Sequence, residues 1–99
     1  MKCVLIVDDK AMMRDSVATT LNRAGFEPVA ASDGQTALKM IARHRPAAVI
    51  TDLKMPGMDG LTLLKQIVEM DPQLPVVLMT AYATIETAVD AMKHGAFDY

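Results

Sequence analysis

The stretch Ala47-Ala48-Val49-Ile50-Thr51-Asp52-Leu53-Lys54-Met55-Pro56-Gly57-Met58-Asp59-Gly60 decides how the rest of the chain is read. A short apolar run ends at an acid, Asp52. A turn-rich segment follows, in which Pro56 fixes φ and the glycines permit turns closed to other residues. Two further apolar runs end in a similar way. Val4-Leu5-Ile6-Val7 stops at the adjacent acids Asp8 and Asp9, and Pro75-Val76-Val77-Leu78-Met79 stops at Thr80-Ala81. Short runs that are apolar almost throughout suit strands covered on both faces, as in a parallel sheet. As neighbouring parallel strands, the three would bring their polar ends into one crevice, where open α/β sheets place their chemistry.

Segments of helical period lie between the runs. Strands are read over 3–7, 27–31, 47–51 and 76–79, the second being the weakest. From Ala11 to Ala24, the positions Met13, Val17, Leu21 and Ala24 mark one helical face, and Gly25 is a natural stop. After the turn Ser32-Asp33-Gly34, residues 35–43 form a helix with Ala37, Leu38 and Ile41 inward. A third helix spans about 60–70, with Leu61, Leu64 and Val68 on one face, and Asp71-Pro72 ends it. Thr84 caps a fourth helix carrying Ile85, Val89 and Met92 inward, closed by Gly95. Strands alternating with helices predict an α/β fold with a parallel sheet and helices on both faces. The 99 residues are enough for one domain and no more.

Composition narrows the function. A net charge of -2, with the basic residues scattered, speaks against direct contact with nucleic acid, which needs a basic footprint. The single cysteine, Cys3, cannot form an internal disulfide, which suits a reducing cytoplasm. No apolar stretch approaches the roughly 20 residues of a membrane span. His44 and His94 lack metal-ligand spacing and read as surface or capping residues. The nine methionines read as adaptable core filler.

The acids carry the chemistry. Each of Asp8, Asp9 and Asp52 could merely cap a turn, but three carboxylates gathered at strand ends repel one another, and a hard divalent cation relieves that repulsion. Mg²⁺ suits a site with few carboxylates, a backbone carbonyl and several retained waters. Asp52 is the candidate nucleophile, since a carboxylate attacking a phosphoryl group gives an acyl phosphate. The backbone carbonyl of Lys54 could face the metal, its ammonium being solvated. Thr80 either offers its hydroxyl to a phosphoryl oxygen or caps the next turn; both readings are open at this point.

Taken together, residues 4–9, 51–60 and 80–81 resemble, in order and spacing, the receiver domain of two-component response regulators, and the likeness runs through all 99 residues. The resemblance implies a flavodoxin-like, doubly wound parallel sheet of strand order 2-1-3-4, with the fifth βα unit of the family missing. It implies that Asp52 accepts a phosphoryl group from the phosphohistidine of a sensor histidine kinase. Asp8, Asp9, Asp52 and the Lys54 carbonyl would hold Mg²⁺, Thr80 would be the switch hydroxyl and Tyr99 the switch aromatic. Such a module regulates an output and is not a turnover enzyme. The segment from Thr80 to Tyr99 is similar to receivers of activators that work with sigma factor 54, which points to a transcriptional output outside the chain. The family's fifth strand, its following lysine and its fifth helix have no counterpart here. The expectation is therefore a C-terminally truncated receiver that self-associates through the open edge of 76–79. Two alternatives stand beside it. One is a non-phosphorylated docking or dimerisation module. The other is an aspartate-nucleophile phosphohydrolase, a class that wants a second acid two residues after the nucleophile, where Lys54 stands.

Overall fold

In a computed structural model of the chain, which describes residues 2–79 and 92–96, the apolar run Cys3–Val7 forms β1. It is followed by α1 (Ala11–Arg23), β2 (Glu27–Ala31), α2 (Gly34–His44), β3 (Ala48–Asp52), α3 (Gly60–Met70) and β4 (Val76–Met79). The strands make one parallel sheet of order β2-β1-β3-β4, the order expected from the resemblance. Pro28 lies in β2, an edge strand, where a missing N–H is tolerated.

Side-chain alternation along β1 sets up the layers. Leu5 and Val7 join the main core with Ala37 and Ile41 of α2, Leu63, Leu64 and Ile67 of α3, Val49 of β3, and Val76 and Leu78 of β4. Val4 and Ile6 are buried too and point to the opposite face. The helix ends follow from local chemistry. Asp33 and Asp59 cap α2 and α3 by accepting the N–H groups of Thr36 and Thr62, each at 2.8 Å. Gly25, at φ +91°, closes α1. Its N–H reaches Asn22 O at 3.1 Å and that of Phe26 reaches Leu21 O at 3.0 Å.

Several expectations are corrected. The α3 face turned to the core is Gly60, Leu63, Leu64 and Ile67, an i, i+3, i+4, i+7 set, whereas Leu61 and Val68 flank it half-buried. Gly60 is pressed against the β3 end on the same face. No residue of α1 is fully buried; Met13 is 42% exposed, and Val17 and Leu21 are half-buried. β3 begins and ends one residue later than expected, because Asp52 still pairs with Met79. The methionines divide: Met55 is buried and Met40 and Met58 pack on the core, but Met12, Met13, Met70 and Met92 are exposed. Thr84, Ile85 and Val89 lie outside the described residues. Met92, expected inward, is exposed at the last helical turn, and Ala96, past Gly95 at φ +98°, takes the buried position instead. Among the described residues, no helix is long and apolar enough to cross a membrane.

Candidate functional site

The pairing of β1 with β3 builds the site. Val7 stands opposite Thr51 in the parallel ladder, so Asp8, just past β1, and Asp52, the last residue of β3, come to the same level at the sheet's carboxyl edge. Asp8 also donates its N–H to Ala31 O at 3.2 Å, which ties the end of β1 to β2. Asp9 follows on the loop into α1. One carboxylate oxygen from each of Asp8, Asp9 and Asp52 lies within 4.8 Å of the others. Asp8 and Asp52 are buried and Asp9 is exposed. Three aspartates that sequence spacing alone put at strand ends are thus brought into one cluster.

Backbone and side-chain donors hold these carboxylates. Asp8 Oδ1 accepts the Lys10 N–H at 2.8 Å. Asp52 Oδ1 accepts the Lys54 N–H at 3.4 Å. The Lys10 ammonium stands 3.5 Å from both Asp9 Oδ1 and Asp52 Oδ2. Burial pushes the Asp8 carboxyl above the ordinary aspartate range; the Lys10 N–H opposes the shift and the charges of Asp52 and Asp9 add to it. The charge of Asp9, first among several causes that include Asp52 and Asp8, raises Lys10.

The loop after Asp52 is folded tightly onto the strand end. Leu53 and Met55 are buried, and the Gly60 N–H closes back onto Leu53 O at 2.8 Å. A Cβ on Gly60 would collide with the Asp52 carbonyl oxygen and come within 2.9 Å of Leu53 Cα. Gly60 therefore serves by having no side chain, and its close approach seats the phosphoacceptor candidate against the start of α3. On the other flank, Arg14 Nη1 donates to Asp8 O at 2.8 Å, tying α1 to the end of β1.

Lys54 is present at the site through its backbone N–H. Thr80 and Tyr99 lie outside the described residues. Lys10, Arg14 and the steric role of Gly60 were not singled out from sequence. Lys10 carried a positional signal, since it directly follows Asp8-Asp9; the Arg14 contact had none, because an arginine on a helix ordinarily faces water. His44 ends α2, where a basic group suits the helix carboxyl terminus.

Comparison with known proteins places this geometry. The response regulator receiver domain family matches residues 4–99. The regulatory protein AtoC of Escherichia coli (strain K12) is 46% identical over 96 residues, covering 97% of this chain and 21% of that protein. The DNA-binding transcriptional regulator NtrC of the same strain is 42% identical over 96 residues, covering 97% of this chain and 20% of NtrC. The chain thus spans about a fifth of the length of these curated relatives. Among solved structures, a response regulator receiver domain protein from Clostridium thermocellum superimposes with a TM-score of 0.94 at 30% identity, over 100% of this chain and 80% of that one. NtrX from Brucella abortus gives 0.92 at 40% identity, over 98% of this chain and 22% of NtrX. With the acidic cluster at the sheet's carboxyl edge and a match over nearly its whole length, the chain belongs to the response regulator receiver domain family, among receivers of the AtoC, NtrC and NtrX kind.

Proposed function

We propose that this receiver is a phosphoacceptor module in which Asp52 takes a phosphoryl group from the phosphohistidine of a sensor histidine kinase. The carrying observation is the position of Asp52: at the end of a central strand, with Oδ1 by the Lys54 N–H, Oδ2 by the Lys10 ammonium, and one of its oxygens within 4.8 Å of those of Asp8 and Asp9. A carboxylate oxygen attacks phosphorus, a P–O bond forms, the P–N bond to imidazole breaks, and the imidazole nitrogen takes up a proton. The product is an acyl phosphate on Asp52, and positioning is most of what the protein contributes. Gly60 and the buried Leu53 and Met55 hold the attacking group in place.

The donor set fits Mg²⁺: three carboxylates, all oxygen ligands, one of them exposed so that water can complete the shell. Asp8, Asp9, Asp52 and the Lys54 backbone carbonyl would hold the ion. When bound, it supplies positive charge against the phosphoryl oxygens. Thr80 as the phosphoryl-binding hydroxyl and Tyr99 as the aromatic switch complete the reading. The module's likeness to AtoC and NtrC receivers supports a transcriptional output, a cytoplasmic setting and a regulatory rather than turnover role.

A small phosphodonor such as acetyl phosphate, supplied with and without Mg²⁺, tests it. Label should appear at Asp52 only with the metal and vanish in Asp52→Asn. The same labelled peptide persisting in that variant would remove Asp52 as acceptor. Continuous release of phosphate from unrelated phosphomonoesters would favour a phosphohydrolase instead.

A further inference from the structure

One residue touches all three members of the acidic cluster. The backbone N–H of Lys10 is bonded to Asp8 Oδ1 at 2.8 Å, and its ammonium lies 3.5 Å from Asp9 Oδ1 and 3.5 Å from Asp52 Oδ2. Two of these carboxylates are buried, yet the Lys10 side chain is 57% exposed. The ammonium therefore reaches in from solvent over the mouth of the cluster and is not itself sealed into it.

Such a cation does part of what a metal would do. It stands between Asp9, on the loop after β1, and Asp52, at the end of β3, and screens their repulsion. A divalent cation held by the same three groups would have a positive charge about one contact distance away, and like charges so close cannot both remain without cost. The lysine side chain can swing into water without any backbone change, because its exposed stem has four rotatable bonds. Its backbone N–H, by contrast, keeps its hold on Asp8 whatever the ammonium does.

We propose that Lys10 is the resident counter-ion of the acidic cluster, a cation that must be displaced for a divalent metal to enter and that thereby sets the site's metal affinity. The inference rests on the reading of Asp8, Asp9 and Asp52 as metal ligands and adds a competitor to it. It also predicts a division of labour within one residue: the main chain organises the site and the side chain regulates its occupancy.

Lys10→Met separates the two roles, since it removes the ammonium, keeps a side chain of similar reach and retains the backbone donor. Mg²⁺ titration at low salt, followed through the amide shifts of Asp8, Asp9 and Asp52, reads affinity without any phosphotransfer. The dissociation constant should fall by about three- to tenfold in Lys10→Met, the scale of an exposed to partly buried charge contact. Lys39→Met, an exposed change of equal charge on α2, should leave it unchanged. The gain should shrink at about 1 M salt, where screening acts within roughly 3 Å. Equal or weaker binding in Lys10→Met, or the same gain in Lys39→Met, would overturn the counter-ion. Saturable binding at the three aspartates with unchanged affinity overturns Lys10 alone. Absence of any response at those residues in both proteins overturns the metal site and the counter-ion together.

Discussion

Asp8 is only 3% exposed and shares its crevice with two other carboxylates, so burial first and the neighbouring charges after it raise its pKa above the ordinary value of 3.8. The consequence for stability has a definite sign. Below the ordinary value the group is protonated in both folded and unfolded chains and costs nothing. As pH rises through the folded-state pKa, the unfolded chain releases its proton more readily, and stability is lost. Asp8→Asn, which keeps the shape and cannot ionise, should therefore raise Tm at pH 7. That gain should fade as pH is lowered from the raised folded-state pKa toward the ordinary value and be gone below about 4. Thermal unfolding at several pH values checks it; a gain that grows toward acid would contradict the assignment. Gly60 gives a second prediction at this scale. Alanine is the better helix former by about 1 kcal/mol, but its methyl would meet the backbone of Asp52 and Leu53, which cannot rotate away as a side chain could. Overpacking of this kind costs about 1–3 kcal/mol, so Gly60→Ala should destabilise and should shift the Asp52 amide resonance.

The same loop also decides how α3 starts. Asp59 accepts the Thr62 N–H at 2.8 Å, and Gly60 follows as the first helical residue. Asp59→Ala should cost about 1 kcal/mol, read by denaturant midpoint with an unchanged slope; no loss would show that water replaces the cap. At this scale the sequence was informative wherever the signal is local. Apolar runs located every described strand to within one residue, and the caps at Asp33 and Asp59 stand where polar residues precede helical periods. The phase of α3 was not legible, because Leu61, Leu64 and Val68 form as good a periodic set as Leu63, Leu64 and Ile67. The tertiary packing chooses between them, with Gly60 against the β3 end and Leu63, Leu64 and Ile67 in the core. Gly60 itself reads as turn freedom in sequence, yet it is absent from the positive-φ glycines and is required for space. Lys10 shows the same limit. Its pair with Asp9 is between sequence neighbours, but the pair with Asp52 joins residues that come together only when β1 and β3 are in register, so no spacing rule in one segment reveals it.

Strand order and register turn local features into a site at the scale of the molecule. Because β1 and β3 are adjacent and parallel, with Val7 opposite Thr51, folding itself forces Asp8 and Asp52 together. The buried core of Leu5, Val7, Val49, Leu64 and Ile67 holds that arrangement against carboxylate repulsion. Folding and the acidic cluster are therefore opposed, and a cation that binds only the folded state should relieve the conflict. At ten times its dissociation constant, Mg²⁺ should add about 1.4 kcal/mol to the stability of the native state. For 99 residues this corresponds to a rise in Tm of roughly 5–10 °C. Asp8→Asn should start from a higher Tm without metal, since the repulsion is already reduced, and should gain less when Mg²⁺ is added, since one of the proposed ligands is gone. Metal and substitution thus relieve overlapping parts of one strain, and their effects must fall short of additive. A four-way comparison of wild type and Asp8→Asn, each with and without Mg²⁺, measures that coupling directly. Equal metal-induced shifts in both proteins would show that the ion binds elsewhere and that the strain at the strand ends is not what it relieves.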